Sequence, residues 1–242
     1  MKLLRASLIT HSDLKKRGTK VAVKITEDYF EYGSLKYFRG NAHLMEIGTY
    51  GEKKDPIGPK AYVDPESKVQ RRHLVNRVVK GKPVAVDWAQ TTKAAVEVNG
   101  PVSVFGLKVD AAVSFTYEKL KAANLRLYNL SVSEDPLKKM LNGDADGARD
   151  FLASEGNDGR IVSEVWVVME AELAEQFDTS GAVAVSVKGV DLNVTAKGGT
   201  HGTQTITLSK GSVFAYKPHK VKEWNKGKTQ IENMEADYHG MS

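Results

Sequence analysis

The chain has 242 residues, 41% of them apolar and 27% charged, with a formal charge of +5. This composition describes a folded globular protein, and a chain of this length can bury a full core without covalent staples. It has no cysteine, which excludes a disulfide scaffold, thiolate metal sites, a cysteine nucleophile and cysteine-based lipidation.

At the N-terminus Leu3 and Leu4 are followed at once by Arg5, which does not read as a secretory signal. No window approaches the ~18 consecutive apolar residues of a membrane-crossing helix. A cytoplasmic location is therefore expected. Leu3, Leu4, Leu8 and Leu14 fall on one side of a basic helix over 2–17, and Gly18 is a plausible stop. From 20 to 38, partial alternation at Val21, Val23 and Ile25 and a bend at Gly33-Ser34 predict a strand pair. Residues 48–67, with Gly48, Gly51, Pro56, Gly58, Pro59 and Pro65, read as a loop. Within 68–80, Leu74, Val75, Val78 and Val79 recur at helical spacing, and Arg71, Arg72, Asn76, Arg77 and Lys80 take the remaining surface. That predicts a basic amphipathic helix, with a strand as the alternative because of the valines.

The next stretch alternates with period two. Val84, Val86 and Trp88 share a face, as do Val96, Val98, Val102 and Val104 around a turn at Asn99-Gly100-Pro101. Leu107, Val109, Ala111, Val113, Phe115 and Tyr117 then continue on one face. Such alternation suits a one-sided sheet, and equally a tilted membrane-crossing strand of about 9–11 residues. Ser133-Glu134-Asp135-Pro136 starts a helix that Asn142-Gly143 ends, and a second helix begins near Asp146. Ile161 to Leu173, apolar on both faces around Val165 to Met169, reads as a buried strand with Trp166 in the core. Val183, Val185 and Val187 alternate, Gly189 shifts the phase, and Val190, Leu192, Val194 and Ala196 follow. Thr203 to Leu208 and Val213 to Tyr216 read as the last strands. The expected architecture is α+β: a twisted, mainly antiparallel sheet with flanking helices, one domain over 1–228 and a short acidic tail over 229–242.

Charge is unevenly placed. Residues 1–20 carry Lys2, Arg5, Lys15, Lys16, Arg17 and Lys20 against Asp13, and residues 68–82 carry six basic residues and no acid. Residues 217–228 hold five lysines against Glu223, whereas 229–242 hold only Glu232, Glu235 and Asp237. A basic segment followed by an acidic one can fold back on itself. Basic clusters attract phosphate, of nucleic acid or of anionic lipid. Catalytic and metal motifs are missing: the histidines are scattered, and there is no G-x-S-x-G. Asn142–Gly147 starts like a calcium loop, but Ala153 stands where a bidentate Glu is required. Gly227-Lys228-Thr229 lacks the upstream glycine of a phosphate-binding loop. No enzyme, cofactor or metal is expected. Trp224, among lysines, is a candidate for a membrane interface or docking.

Three stretches carry a family resemblance. Leu127-Tyr128-Asn129-Leu130-Ser131-Val132 leads through Pro136 into a leucine-bearing helix. Val162-Ser163-Glu164-Val165 is similar to a "VVTEV" strand. Thr205 to Tyr216, with Lys210-Gly211-Ser212 at its centre, is similar to "TVTIPxGSxLAFRV". In this order and spacing they resemble the pore-forming N-terminal domain of the gasdermins over roughly 84–222. The chain departs from that family in lacking both the N-terminal cysteine of many bacterial members and the large inhibitory domain of animal members.

The resemblance implies a pore-forming protein of cell death or immunity. It would bind acidic-phospholipid membranes, oligomerise with itself or a paralogue, and insert amphipathic hairpins after activation, for instance by a protease. Lys2, Arg5, Lys15, Lys16, Arg17, Arg71 and Arg72 are then the candidate lipid-binding residues, and Val109, Val113, Val185, Val187 and Leu192 the candidate membrane-facing ones. Ile231, Met234 and Tyr238 are spaced to share one face of a helical turn. They are expected to dock the tail near the first helix as an autoinhibitory latch. The alternative is a β-rich module that binds nucleic acid through basic patches, although the aromatics do not interleave with the basic residues as in single-strand binders.

Overall fold

A computed structural model of the chain describes residues 23–55, 61–87, 125–171, 192–197, 204–208 and 213–240. The expected N-terminal helix, the alternating stretch 96–117 and Val183 to Val187 lie outside them.

The described residues form a mixed, sheet-dominated fold built on one 12-stranded sheet. Strands β1 (Val23–Ile25), β2 (Tyr29–Tyr32) and β3 (Leu35–Phe38) form a meander. Gly33, at φ 66°, turns β2 into β3, a backbone conformation that glycine adopts without a side-chain clash. Strands β4 (Thr49–Lys54) and β5 (Tyr62–Lys68) pair antiparallel, where a loop was expected. Of the prolines and glycines that suggest a loop, Gly51 and Pro65 sit at an irregularity, and Pro56, Gly58 and Pro59 lie outside the described residues. The register shifts between Tyr50 and Gly51, with Gly51 opposite Pro65, and a bulge of this kind is one of the few places a strand accepts proline. A Cβ on Gly51 would lie 1.9 Å from the Asp64 carbonyl oxygen, so only glycine lets the strands approach this closely.

The expected basic helix over 68–80 is limited to one turn, α1 (Arg71–Leu74), followed by strand β6 (Val78–Ala85). Its valines favour the extended chain, the second of the two readings. Strand β7 (Leu125–Ser131) runs into helix α2 (Glu134–Gly143), with Glu134 and Asp135 in the first turn and Leu137, Met140 and Leu141 buried. Helix α3 (Asp146–Glu155) follows and buries Ala148 and Leu152. Both helices sit where the sequence places them, although neither N-cap residue, Ser133 or Ala145, makes a side-chain cap hydrogen bond.

Strand β8 (Gly159–Glu170) is the buried centre of the fold, as its two apolar faces require. Val165, Val167 and Met169 enter one core beneath α2 and α3. Trp166 and Val168 enter a second core on the opposite face, with Phe30, Tyr37, Leu127 and Phe214. Strands β9 (Leu192–Lys197) and β10 (Gln204–Leu208) pair antiparallel, and β9 joins β6 in parallel. Strand β11 (Val213–Trp224) runs eight residues beyond the expected end at Tyr216 and pairs with β8 on one side. On its other side lie β3 and strand β12 (Ile231–Ala236).

The tail is therefore a strand and not a helical turn. Ile231 and Met234 are three apart and would face opposite ways in a regular strand. The β11–β12 register shifts twice, between Val221 and Glu223 and again between Glu223 and Trp224, and both residues enter the same core. A bulged strand thus delivers the pattern that reads as a helical stripe. The tail meets α2, and Tyr238 remains exposed. Trp224 packs on that core opposite Ile231, a structural setting for a residue whose lysine-rich surroundings suggest an interface.

Candidate functional site

Two regions hold the functional candidates: the strand ends from which the alternating sequence leaves the sheet, and a charged seam under the C-terminal strand.

The first follows from register. Ala85 at the end of β6 pairs with Arg126, Arg126 pairs with Met169, and Leu125 pairs with Glu170. The end of β6, the start of β7 and the end of β8 thus lie side by side. The chain between β6 and β7, which contains Val109 and Val113, leaves and re-enters the sheet at neighbouring positions of an antiparallel pair. The chain after β8, which contains Val185 and Val187, leaves from the same end. Leu192 opens β9.

The second begins with β8. Arg160, Ser163 and Glu164 interrupt its apolar run, and all three are buried. A buried charge must find partners, and each polar group here does. Glu164 accepts hydrogen bonds from Tyr37 Oη at 2.9 Å and Asn129 Nδ2 at 2.7 Å, and pairs with Lys217. Burial first, and then the neighbouring Glu164 carboxylate, raise the Tyr37 phenol well above its usual range. Ser163 donates its hydroxyl proton to the Lys217 carbonyl oxygen at 3.1 Å, and His219 Nδ1 lies 2.7 Å from Ser163 Oγ. His219 Nε2 is 3.8 Å from Glu134. Serine, histidine and carboxylate are thus adjacent, and the one proton of the serine hydroxyl has both the Lys217 carbonyl oxygen and the His219 ring nitrogen within reach. Burial, followed by the nearby Lys217 charge, lowers the His219 pKa to about 4, against the weaker opposite effect of Glu164.

Asp237, 1% exposed, ends the seam. Its Oδ2 accepts from Arg160 Nε at 2.8 Å and pairs with Lys53 Nζ at 3.1 Å. Its Oδ1 accepts from the His239 backbone N–H at 3.0 Å and lies 3.1 Å from His239 Nδ1. Burial pushes this carboxyl's pKa up, but the hydrogen bonds from the His239 backbone and Arg160 prevail and hold it well below the usual carboxylate range.

Of the expected lipid-binding residues, Arg71 and Arg72 lie exposed on α1, and Lys2, Arg5, Lys15, Lys16 and Arg17 lie outside the described residues. In the same basic cluster Lys68 pairs with Glu46 at 3.0 Å and Arg77 with Asp144 at 2.8 Å. The basic segment after Lys217 folds back on the acidic one as its charge pattern suggests: Lys220 and Lys222 reach Glu235 at 2.9 and 3.7 Å. Val109, Val113, Val185 and Val187 lie outside the described residues. Sequence reasoning missed two buried polar clusters, Glu164 and Ser163 with Lys217 and His219, and Lys53 and Arg160 with Asp237, as well as the Asn142 contact to Ile231. The available signal was a pair of charges, Arg160 and Glu164, placed just ahead of the apolar run Val165 to Met169 in a segment that reads as a buried strand.

Among the described residues no helix is long and apolar enough to cross a membrane, and no group of three His, Asp or Glu could hold a metal ion. No protein-family model, no curated protein and no solved structure matches the chain. The resemblance to gasdermins thus rests on the three sequence motifs alone.

Proposed function

We propose that this protein forms pores, with a gasdermin-N-like fold, and that it acts on acidic-phospholipid membranes in cell death or defence. The observation that carries this reading is the shared exit point at the end of β6, β7 and β8. A hairpin that grows from an existing antiparallel pair keeps its ladder, and period-two alternation lets the same residues face a core or lipid. Copies side by side, of this chain or with a paralogue, would close the barrel that lipid demands. Val109, Val113, Val185, Val187 and Leu192 are proposed to face hydrocarbon. The cations Lys2, Arg5, Lys15, Lys16, Arg17, Arg71 and Arg72 are proposed to bring the protein to the anionic surface, at about 1 kcal/mol each.

The C-terminal strand is the proposed latch. It is seated more firmly than an acidic tail suggests, because Ile231 and Met234 are core and Asp237 closes a buried ion pair. A single cut in the β11–β12 turn would leave β12 in place, so release requires the strand to depart. The test is dye leakage from phosphatidylglycerol vesicles by the full chain and by a chain ending at Lys228, with a nucleic-acid mobility shift in parallel. Leakage that rises on trimming supports the reading. No leakage from either chain, with a shifted nucleic acid, would replace it with the nucleic-acid module.

A further inference from the structure

Arg160 and Lys53 converge on a single oxygen, Asp237 Oδ2, at 2.8 and 3.1 Å. The two cationic side chains are 6% and 5% exposed. The Arg160 guanidinium and the Lys53 backbone are positioned without the C-terminal segment. Arg160 Nη1 donates to the carbonyl oxygens of Asn157 and Gly159 at 2.6 and 3.0 Å, and these belong to the turn after α3 and the start of β8. The Lys53 backbone N–H donates to the Asp158 carbonyl oxygen at 2.8 Å, which ties β4 to that same turn. The Arg160 guanidinium and the backbone that carries Lys53 therefore sit on a frame that stays complete when residues 237–240 withdraw. What the C-terminus contributes is the carboxylate itself, the His239 groups on its second oxygen, and the His239 carbonyl oxygen that Lys53 Nζ reaches at 3.0 Å. Asp55 also lies near the pair, 3.5 Å from Lys53 and largely solvated at 62% exposure.

We propose that Arg160 and Lys53 form an oxyanion site, with Asp237 as its built-in occupant, and that a phosphate group takes the site when residues 237–240 withdraw. A guanidinium fixed by backbone carbonyls is a preorganised phosphate donor, and an ammonium beside it adds a point charge. Two buried cations left without an anion are unfavourable, which drives replacement of the lost carboxylate. The phosphate can be free or carried on a lipid headgroup. The inference stands apart from the pore reading, since it requires no permeabilisation.

The experiment uses the full chain with Asp237→Ala, and with Asp237→Asn as the variant that preserves shape. Thermal midpoints are measured against inorganic phosphate, with potassium chloride at matched ionic strength. The expected result is a phosphate-dependent rise in Asp237→Ala that wild type lacks and that adding Arg160→Gln removes. If a variant folds only with an anion, recovery in phosphate but not in chloride is the same result. Sedimentation with phosphatidic acid against phosphatidylcholine vesicles then separates sources: an Arg160-dependent gain on phosphatidic acid assigns a headgroup, and its absence assigns free phosphate. Equal midpoints in phosphate and chloride for both variants, or failure to fold in either salt, would overturn the proposal.

Discussion

The side-chain amide of Asn142 pairs with both backbone polar groups of Ile231. Its Oδ1 accepts the Ile231 N–H at 2.8 Å, and its Nδ2 donates to the Ile231 carbonyl oxygen at 2.9 Å. Lys138, one turn earlier on α2, donates to the Glu232 carbonyl oxygen at 3.3 Å. Helix α2 thus supplies the hydrogen bonds that a further strand would give β12, and it covers that part of the edge.

Replacing Asn142 with Asp keeps the size and the acceptor but turns the donor into a second oxygen facing a carbonyl. Asn142→Asp should lose about 1–3 kcal/mol in urea unfolding. The Ile231 amide should exchange its hydrogen faster than amides of β8. Unchanged exchange at Ile231 would show that the clamp does not hold the strand.

Acid should weaken the fold through His219. Its pKa falls from 6.5 to about 4 on folding, so between those values the unfolded chain binds the proton and the folded chain does not. The contribution is complete above pH about 6.5 and is lost as pH falls toward about 4, a span worth about 3 kcal/mol. Lys217, Glu164, Glu134 and Ser163 surround the ring, and Asp237 titrates lower still. His219→Gln should flatten the stability profile across this window. An equally steep profile in the variant would assign the slope to other groups.

The pair Glu164–Lys217 should show the asymmetry of buried ions. Their side chains are 11% and 15% exposed. Glu164→Leu alone leaves the lysine and the Tyr37 hydroxyl without their acceptor and should cost about 3–5 kcal/mol. Adding Lys217→Met should recover much of that loss, as read by chemical denaturation. No recovery in the double variant would place the cost on Tyr37 and Asn129 instead.

Gly51→Ala should disrupt the β4–β5 pair. The added methyl would lie 1.9 Å from backbone that cannot swing away as a flexible side chain does. A loss of about 1–3 kcal/mol or more follows from such overpacking. Gly143→Ala, with nothing within 4 Å of the new Cβ, is the matched control and should be far milder.

Local signals determined much of this fold. Ser133 to Pro136 and Asn142-Gly143 marked the ends of α2 because helix-end signals act within one turn, here through the acids and proline of the first turn rather than a side-chain cap. Two apolar faces made β8 central because only burial on both sides satisfies such a run. The run of lysines and then acids along 217–237 allowed a fold-back, but it did not indicate the strand pairing of β11 with β12. Local signals failed where a non-local partner decided the outcome. Prolines and glycines over 48–67 fit a loop equally well until β5 and β8 fix β4 between them. The spacing of Ile231 and Met234 fits a helical turn until the bulged pairing with β11 rotates both into one core. The seam that joins Lys53, Arg160 and Asp237 had no trace in spacing at all. Its members lie far apart in sequence, and only desolvation in the folded chain forces two cations and a carboxylate to one point.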